Sequence, residues 1–521
     1  MTILNHFPTR LGTPRDQQIR AIEFVEKSTK RFVILELPTG AGKSGVAVTL
    51  CNAFGWSYVS TPTKNLMNQY AEDFNGDSVQ LKGRINYPCT QHNPELNQQV
   101  IKFIKQGKSL TMPPKHQSCS AAPCIPLRNG KRAAFIEECE KESGKCPYTT
   151  MIEECQGHKL VIGNPYSLIY ISYFGGHLSK RNLLVIDEAH ETEKVIRSIA
   201  TLNITINRVV APKEYEHLVS PSDWLAWLKR GEQVGTFDKN EDKEKYLAKV
   251  EKLEKSEGAY GKKAIVKVFS DLDHGKFKIE FIPDFVGSLA QELFLSLGEK
   301  VVLLSGTIPD YKGFAAGLGI PLDDVEFMRI PSDFPAENRP VFLPTTDIDL
   351  SHKHWHKNLA SGCKEVNRIL ALHSNERGVI HTSSYSKAKQ IADGCKNPRI
   401  IFHNNEDLQQ KMKEFLKSPN GVLISPAIST GISLDDDLAR FQVIMTPAYA
   451  SIDDPLVKYR LTEGSWSWYN TQALIVLMQQ IGRSTRSRTD FSKVYLVDSR
   501  FSQLLKKTWK MLPQWFVDGL R

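Results

Sequence analysis

Residues 32–37 form an apolar, β-branched run broken only by Glu36. The run stops at Pro38-Thr39-Gly40-Ala41-Gly42-Lys43-Ser44, after which Val46, Val48, Leu50, Cys51 and Phe54 recur at helical spacing. A buried strand, a glycine-rich loop and a helix in this order predict an α/β sheet with an anion site at the loop. Glycines let main-chain N–H groups close on a phosphate, and the helix N-terminus adds partial positive charge. Pro38, Thr39, Gly40, Ala41 and Gly42 would form the cradle. Lys43 would reach the β/γ-phosphates, and the Ser44 hydroxyl would hold Mg²⁺. The strict pattern has a glycine where Leu37 stands, so a plain turn between strand and helix is the competing reading.

The alternation continues along the chain. Residues 58–60 read as a strand that leads through Thr61-Pro62-Thr63 into a helix ending near Tyr70. Residues 160–163, 183–186 and 301–304 read as further strands. A second α/β unit is expected from about Pro331, with strands at 378–382, 421–425, 442–446 and 494–497. Such alternation indicates parallel sheets. Two stretches interrupt it. Residues 82–149 hold five cysteines, many prolines and eleven Lys/Arg against five Asp/Glu, with no clean periodicity. Residues 195–295 include a charge-rich stretch, 240–257, in which Tyr246, Leu247, Val250 and Leu253 fall at helical spacing. A solvated helix packed within its own insert is expected there.

The strand 183–186 delivers Asp187-Glu188-Ala189-His190 at its C-terminal end, where ligands sit in open α/β sheets. Asp187 would hold Mg²⁺ through its water shell, and Glu188 would polarise an attacking water. Alone, the pair would also suit an ordinary helix cap. Farther on, Gln479-Gln480-Ile481-Gly482-Arg483-Ser484-Thr485-Arg486 sets two arginines on one helical face. Arg483 and Arg486, with Gln479 beside them, would stabilise charge that develops in phosphoryl transfer. A basic surface helix is the plain alternative.

Together these segments resemble a superfamily 2 helicase core, and further stretches fall in that family's order. Arg15-Asp16-Gln17-Gln18 resembles its adenine-reading element, with Gln18 at the key place. Thr61, Pro62 and Thr63, with Gln69, resemble the DNA-contacting motif Ia. Ser305-Gly306-Thr307 resembles motif III, and Ser429-Thr430-Gly431-Ile432 resembles motif V, with Gly431 at the nucleotide. A narrower likeness is to XPD/DinG-type helicases. Residues 81–89, Cys146-Pro147-Tyr148 and residues 164–168 resemble the segments flanking that family's iron–sulfur insert, and Trp468, Tyr469, Gln472, Ala473, Asp490 and Asp498 fit its run around motif VI. The resemblance implies an α/β fold of two RecA-like P-loop domains, with an iron–sulfur insert and an arch-like insert in the first. Domain 1 would comprise residues 1–81, 150–194 and 296–330, the iron–sulfur insert 82–149, the arch 195–295 and domain 2 residues 331–521. ATP and Mg²⁺ would bind between the domains, and hydrolysis would drive 5′→3′ movement along single-stranded DNA with duplex unwinding. In one departure, relatives carry an acidic residue two positions after the motif V glycine, where this chain has Ser433.

Four thiolates hold a 4Fe–4S cluster, and five stand in the insert. The resemblance fixes Cys89 and Cys146 most firmly. Cys124 and Cys139 are the choice for the middle pair, with Cys119 the alternate for either. Structural zinc favours short CxxC pairs, and none occurs here. Cys51, Cys155, Cys363 and Cys395 have no partner nearby in sequence and read as core thiols. His381 reads as a packed strand histidine, and Trp466 and Trp468 as core aromatics, with base-stacking platforms the alternative. The insert's surplus of basic residues over acidic ones suits a phosphate backbone.

Composition is ordinary for a globular chain, 41% apolar and 24% charged, which argues against disorder, collagen repeats and coiled coil. No stretch approaches the roughly 20 apolar residues of a membrane helix, and the first residues lack the apolar core of a signal peptide. A monomer in the cytoplasm of a bacterial cell or an infected host is expected, with no membrane partner. The net charge of +9 suits a polyanion. The partners implied are single-stranded DNA and forked duplex, with replication or repair proteins beside them. The rivals are a single-strand-dependent ATPase that remodels nucleoprotein complexes without separating strands, and a loading factor that uses ATP as a switch.

Overall fold

The computed structural model describes residues 2–74, 77–89, 100–102, 118–122, 131–207, 223, 226–227, 264–271, 276–426, 436–483, 485 and 488–521. In chain order the strands are Phe32–Glu36 (β1), Ser57–Ser60 (β2), Val79–Leu81 (β3), Leu160–Gly163 (β4), Arg181–Ile186 (β5), Leu202–Asn207 (β6), Ala264–Asp271 (β7), Lys276–Pro283 (β8), Gly298–Ser305 (β9) and Val325–Arg329 (β10). They continue with Val341–Phe342 (β11), Gly378–His381 (β12), Ile400–Phe402 (β13), Val422–Ser425 (β14), Phe441–Ile444 (β15) and Lys493–Leu496 (β16).

Strand β1 is buried along its whole length because helices cover both faces of the sheet it joins. That first sheet runs β10-β1-β9-β5-β2-β4-β3, parallel throughout. Alternate residues feed two separate apolar layers. Phe32, Ile34, Leu184, Ile186, Val301 and Leu303 pack on one face. Val33, Leu35, Leu183, Val185, Val302 and Leu304 pack on the other. The one charge in β1, Glu36, is buried opposite Arg329 of β10, whose Nε donates to its Oε2 at 2.6 Å. Burial still pushes this carboxyl up to about 7. The second sheet, β11-β16-β15-β12-β14-β13, is also parallel. The expected pair of RecA-like α/β domains is thus what the chain forms.

A third sheet, β6-β8-β7, is antiparallel and lies between β5 and β9 in the chain. The sequence reading placed no strands there, and the helix it placed at 240–257 lies outside the described residues. Residues 82–149 are less irregular than expected, since Lys131–Ser143 is a helix. Cys363 and Cys395, read as unrelated core thiols, lie together. The helices Trp355–Leu372 and Tyr385–Cys395 bring the two buried thiols within hydrogen-bond range. Trp466 is exposed rather than core. No helix among the described residues is long and apolar enough to cross a membrane.

His381 in β12 is fully buried and its Nε2 meets Gln442 Oε1 of β15 at 2.8 Å, the packed strand histidine expected. Burial lowers its pKa from 6.5 to about 4. The unfolded chain therefore binds the proton first as pH falls, so the stabilisation is complete above 6.5 and is lost on descending to about 4. Acid denaturation midpoints should show up to about 3 kcal/mol of this loss for wild type, and a distinctly flatter pH dependence for His381→Asn.

Candidate active site

Strands β1, β9 and β5 are neighbours, and their register pairs Glu36 with Ser305 and Ile186 with Leu303. The loop after β1, the Ser305-Gly306-Thr307 segment and the Asp187–His190 segment therefore leave the sheet side by side at its C-terminal edge. The loop turns at Gly40 and Gly42, with φ of 83° and 79°. At Gly42 a Cβ would also stand 2.4 Å from Gln18 Nε2, so a side chain there would displace that amide from the loop. Gln18 is buried with both amide atoms engaged: Nε2 donates to Gly42 O at 3.0 Å, and Oε1 accepts from Arg15 N at 2.9 Å. Arg15 Nη1 adds a bond to Gly40 O at 2.5 Å. The segment that resembles an adenine reader thus braces the phosphate loop from behind.

Lys43 opens the helix Lys43–Phe54, and its Nζ lies 3.6 Å from Glu188 Oε1. Ser44 shares a hydrogen bond with the Asp73 carboxyl. Asp187 is buried; its Oδ1 accepts from Glu188 N at 2.9 Å, and its Oδ2 accepts from Tyr70 OH at 3.0 Å. Burial and then the Glu188 charge push Asp187 up to about 6. Burial acts the same way on Glu188, but Lys43 and then Arg483 outweigh it and hold its carboxyl below the usual range. The environment thus separates two adjacent carboxylates, leaving Glu188 firmly ionised. Glu188 also adopts φ 51°, a left-handed conformation costing a non-glycine residue about 1–2 kcal/mol. Tyr70 was not singled out in the sequence; a tyrosine at the end of a helical pattern carries no local signal for a bond to a carboxylate 117 residues away.

His190 joins three segments. Its Nδ1 meets Ser305 Oγ at 2.7 Å, and its Nε2 is hydrogen-bonded by Gln479 Nε2 of the second domain. Burial lowers the His190 pKa, which favours a neutral ring. A ring protonated at Nδ1 would donate to Ser305 and accept from Gln479. Ser305 Oγ also accepts from Thr307 N at 3.1 Å. At Gly482 a Cβ would stand 2.9 Å from Thr39 Oγ1, so the second domain rests directly on the phosphate loop. Next to it, Arg483 stands in the turn after the helix Trp466–Ile481 rather than on the helical face expected for it, and is close enough to act on the Glu188 charge. Sequence reasoning brought Lys43, Asp187, Glu188, Gln479 and Arg483 to one site, and the fold brings them together. Gly431, Ser433 and Arg486 lie outside the described residues.

At the same edge, Thr61 is buried, Pro62 is exposed, and the Thr63 hydroxyl caps the helix Lys64–Asp73 by accepting from Leu66 N at 3.3 Å. Lys64 Nζ donates to Asn86 Oδ1 at 2.6 Å. Lys82, just after β3, is buried; burial and then the Lys64 charge lower its pKa to about 8.

In the cysteine-bearing segment, Pro88 pairs with Ser118 in an antiparallel bridge, and Cys119 N donates to Tyr87 O at 2.7 Å. This sets Cys89 and Cys119 on adjoining chains. Arg84 Nη1 lies 3.5 Å from Cys119 Sγ, with its guanidinium over the Tyr148 ring. The Cys119 and Cys146 thiols are within hydrogen-bond range, and this contact, against burial, brings the Cys146 pKa down to about 6. Cys139 is buried in the helix that Cys146 follows, and Glu140 Oε1 accepts from Cys146 N at 2.9 Å. Cys124 lies outside the described residues. Among the described residues no group of three potential ligands is already assembled around a metal position.

Residues 11–210 match the family described as type III restriction enzyme, res subunit, and residues 368–519 match the helicase C-terminal domain family. No curated protein sequence matches. Among solved structures, an XPD helicase aligns with a TM-score of 0.62 at 15% identity, over 96% of this chain and 98% of that one. Xpd4 of S. tokodaii gives 0.55 at 14% identity, over 97% and 99%. An apo XPD structure gives 0.56 at 15% identity, over 95% and 98%. The chain therefore has the fold of the XPD helicases, with a segment that matches the type III restriction enzyme res-subunit family and, after it, one that matches the helicase C-terminal domain family.

Proposed function

We propose that the chain is a DNA helicase that couples Mg-ATP hydrolysis to 5′→3′ movement along single-stranded DNA and to duplex opening. The observation that carries this reading is the bond between His190 and Gln479. It joins the acidic segment of the first domain, the Ser305 segment and the helix Trp466–Ile481 of the second domain, just ahead of Arg483, at one point. In this reading residues 38–44 cradle the phosphates, Gln18 braces that cradle, and Ser44 and Asp187 serve Mg²⁺. Glu188 orients the attacking water, and Arg483, with Arg486, stabilises the developing charge. Tyr70 fixes the orientation of Asp187 from the helix that Thr63 caps. Pro62, Thr63 and Lys64 meet the DNA backbone.

The donor set of residues 82–149 suits an iron–sulfur cluster: Cys89 and Cys119 lie on adjoining chains, and the Cys146 thiol reaches that of Cys119. Cys89, Cys119 and Cys146 would hold it, with Cys139 or Cys124 as the fourth thiolate. A bound cluster supplies a four-point covalent staple for a segment with few strands of its own.

Wild type and Lys43→Ala should be compared on 5′-tailed, 3′-tailed and forked duplexes after anaerobic purification. The expected result is ATP-dependent opening of forked and 5′-tailed substrates only, abolished in the variant. Hydrolysis stimulated by single strands without strand separation would instead favour the nucleoprotein remodeller, the reading that Ser433 supports.

A further inference from the structure

The insert between β5 and β9 leaves the first domain through the helix Thr192–Ala200 and returns through β8, which Asp284 follows. These two chains form its neck. Within the neck, Arg197 donates from Nε to Pro283 O at 3.0 Å and from Nη2 to Asp284 O at 2.8 Å, and pairs with Glu193 at 2.6 Å. A residue of the second domain enters the same network. Arg460, on the helix Pro455–Thr462, donates from Nε to Asp284 Oδ1 at 2.8 Å. Its Nη2 donates to Asp284 O at 2.6 Å and to Glu193 Oε1 at 3.1 Å. Its guanidinium lies over the Trp468 ring, 4.4 Å from the centroid. At the other end of the same helix, the capping residue Asp454 accepts from Lys267 Nζ of β7 at 2.7 Å.

We propose that the helix Pro455–Thr462 couples the nucleotide cleft to the insert, with Arg460 as the positioning residue that makes movement of the second domain carry the insert with it. The inference rests on the reading of the cleft as an ATP site. Its geometry has three parts. Arg460 holds both chains of the neck at once, so a pull on it moves the insert as a unit rather than splaying it. Glu193 lies three residues beyond His190, so the second domain meets one short stretch of the first at two points, through Gln479 and through Arg460. Lys267 supplies a separate hold on the insert's sheet. The planar fork of an arginine serves two carboxyl-bearing partners together, which a lysine cannot do. The arginine side chains are 12–13% exposed and the carboxylates 22–24%, so water would replace these bonds poorly.

The test uses the full chain with single-stranded DNA and compares wild type, Arg460→Lys, Arg460→Met and Lys267→Met. One readout is the ratio of ATPase rates with and without DNA. The other is the distance between dyes on Asn203 in the insert and Lys417 in the second domain, with and without a non-hydrolysable ATP analogue. In wild type that distance should hold steady as nucleotide binds. In Arg460→Met it should change with nucleotide, and the DNA stimulation should fall by roughly fivefold or more while basal hydrolysis persists. Lys267→Met should move both readouts the same way by less. Arg460→Lys keeps the charge and thereby the fold of the neck, and it should lose part of the coupling. Wild-type values in Arg460→Met for both stimulation and dye distance would overturn the proposal. Absence of any ATPase in wild type would instead overturn the reading of the cleft.

Discussion

Glu188→Gln should lower DNA-stimulated ATP hydrolysis by roughly 10²–10⁴-fold while ATP still binds. The substitution keeps the shape of the side chain and removes its charge. That charge is what the site is arranged to preserve. Lys43 stands 3.6 Å away, and Arg483 adds to its pull, so the carboxyl stays ionised in spite of burial. Its neighbour Asp187 takes the opposite shift, up to about 6, and would regain full charge beside a divalent cation. Triphosphate in the loop would compete with Glu188 for the Lys43 ammonium, which leaves the carboxylate to a water. Lys43→Ala should fail differently, losing nucleotide affinity together with turnover, because it removes a phosphate contact. Rapid filtration or fluorescence of a labelled nucleotide separates the two behaviours. Hydrolysis by Glu188→Gln within about threefold of wild type would remove Glu188 from the chemistry.

The first-domain phosphate and acidic segments are legible in the sequence because each follows a buried strand. The runs at 32–37 and 183–186 are apolar without alternation, as both faces of a parallel sheet require, and each ends at its chemistry. What the sequence does not convey is the register. That Glu36 lies beside Ser305, and Ile186 beside Leu303, decides that His190 reaches Ser305, and no local pattern encodes it. Edge strands are also hidden. In β10, Val325-Glu326-Phe327-Met328-Arg329 is half-buried, and its mixed composition hides a partner of β1. The insert's strands had a signal that went unread: Lys276-Phe277-Lys278-Ile279-Glu280-Phe281 alternates with period two, and the antiparallel ladder follows it. Side-chain links across the chain, such as Tyr70 to Asp187 or Arg460 to Asp284, exist only once the fold is formed. The Cys363–Cys395 contact is of the same kind, since 32 residues and two helices separate the thiols.

Cys119→Ser should strip most of the iron, and the visible absorption that goes with it, from protein purified without oxygen. The expectation revises the choice of middle cysteines on geometry alone. Cys119 lies on the chain that bridges to Pro88, carries the Arg84 contact and reaches Cys146, while Cys139 sits on the helix whose Phe135 and Ile136 pack against Cys89. The core thiols provide the contrast. Burial drives Cys51 and Cys155 up to about 12, so they remain protonated and poor ligands. Cys51→Ser and Cys155→Ser should therefore keep their iron. Serine at Cys124 or Cys139 identifies the fourth thiolate by which of the two loses it. The parallel sheets bury their own apolar layers, so loss of the cluster should leave nucleotide binding intact and weaken the hold on forked DNA. Full iron content in Cys119→Ser would return Cys124 and Cys139 together to the ligand set, and zinc in place of iron would make the insert a structural metal module of another kind.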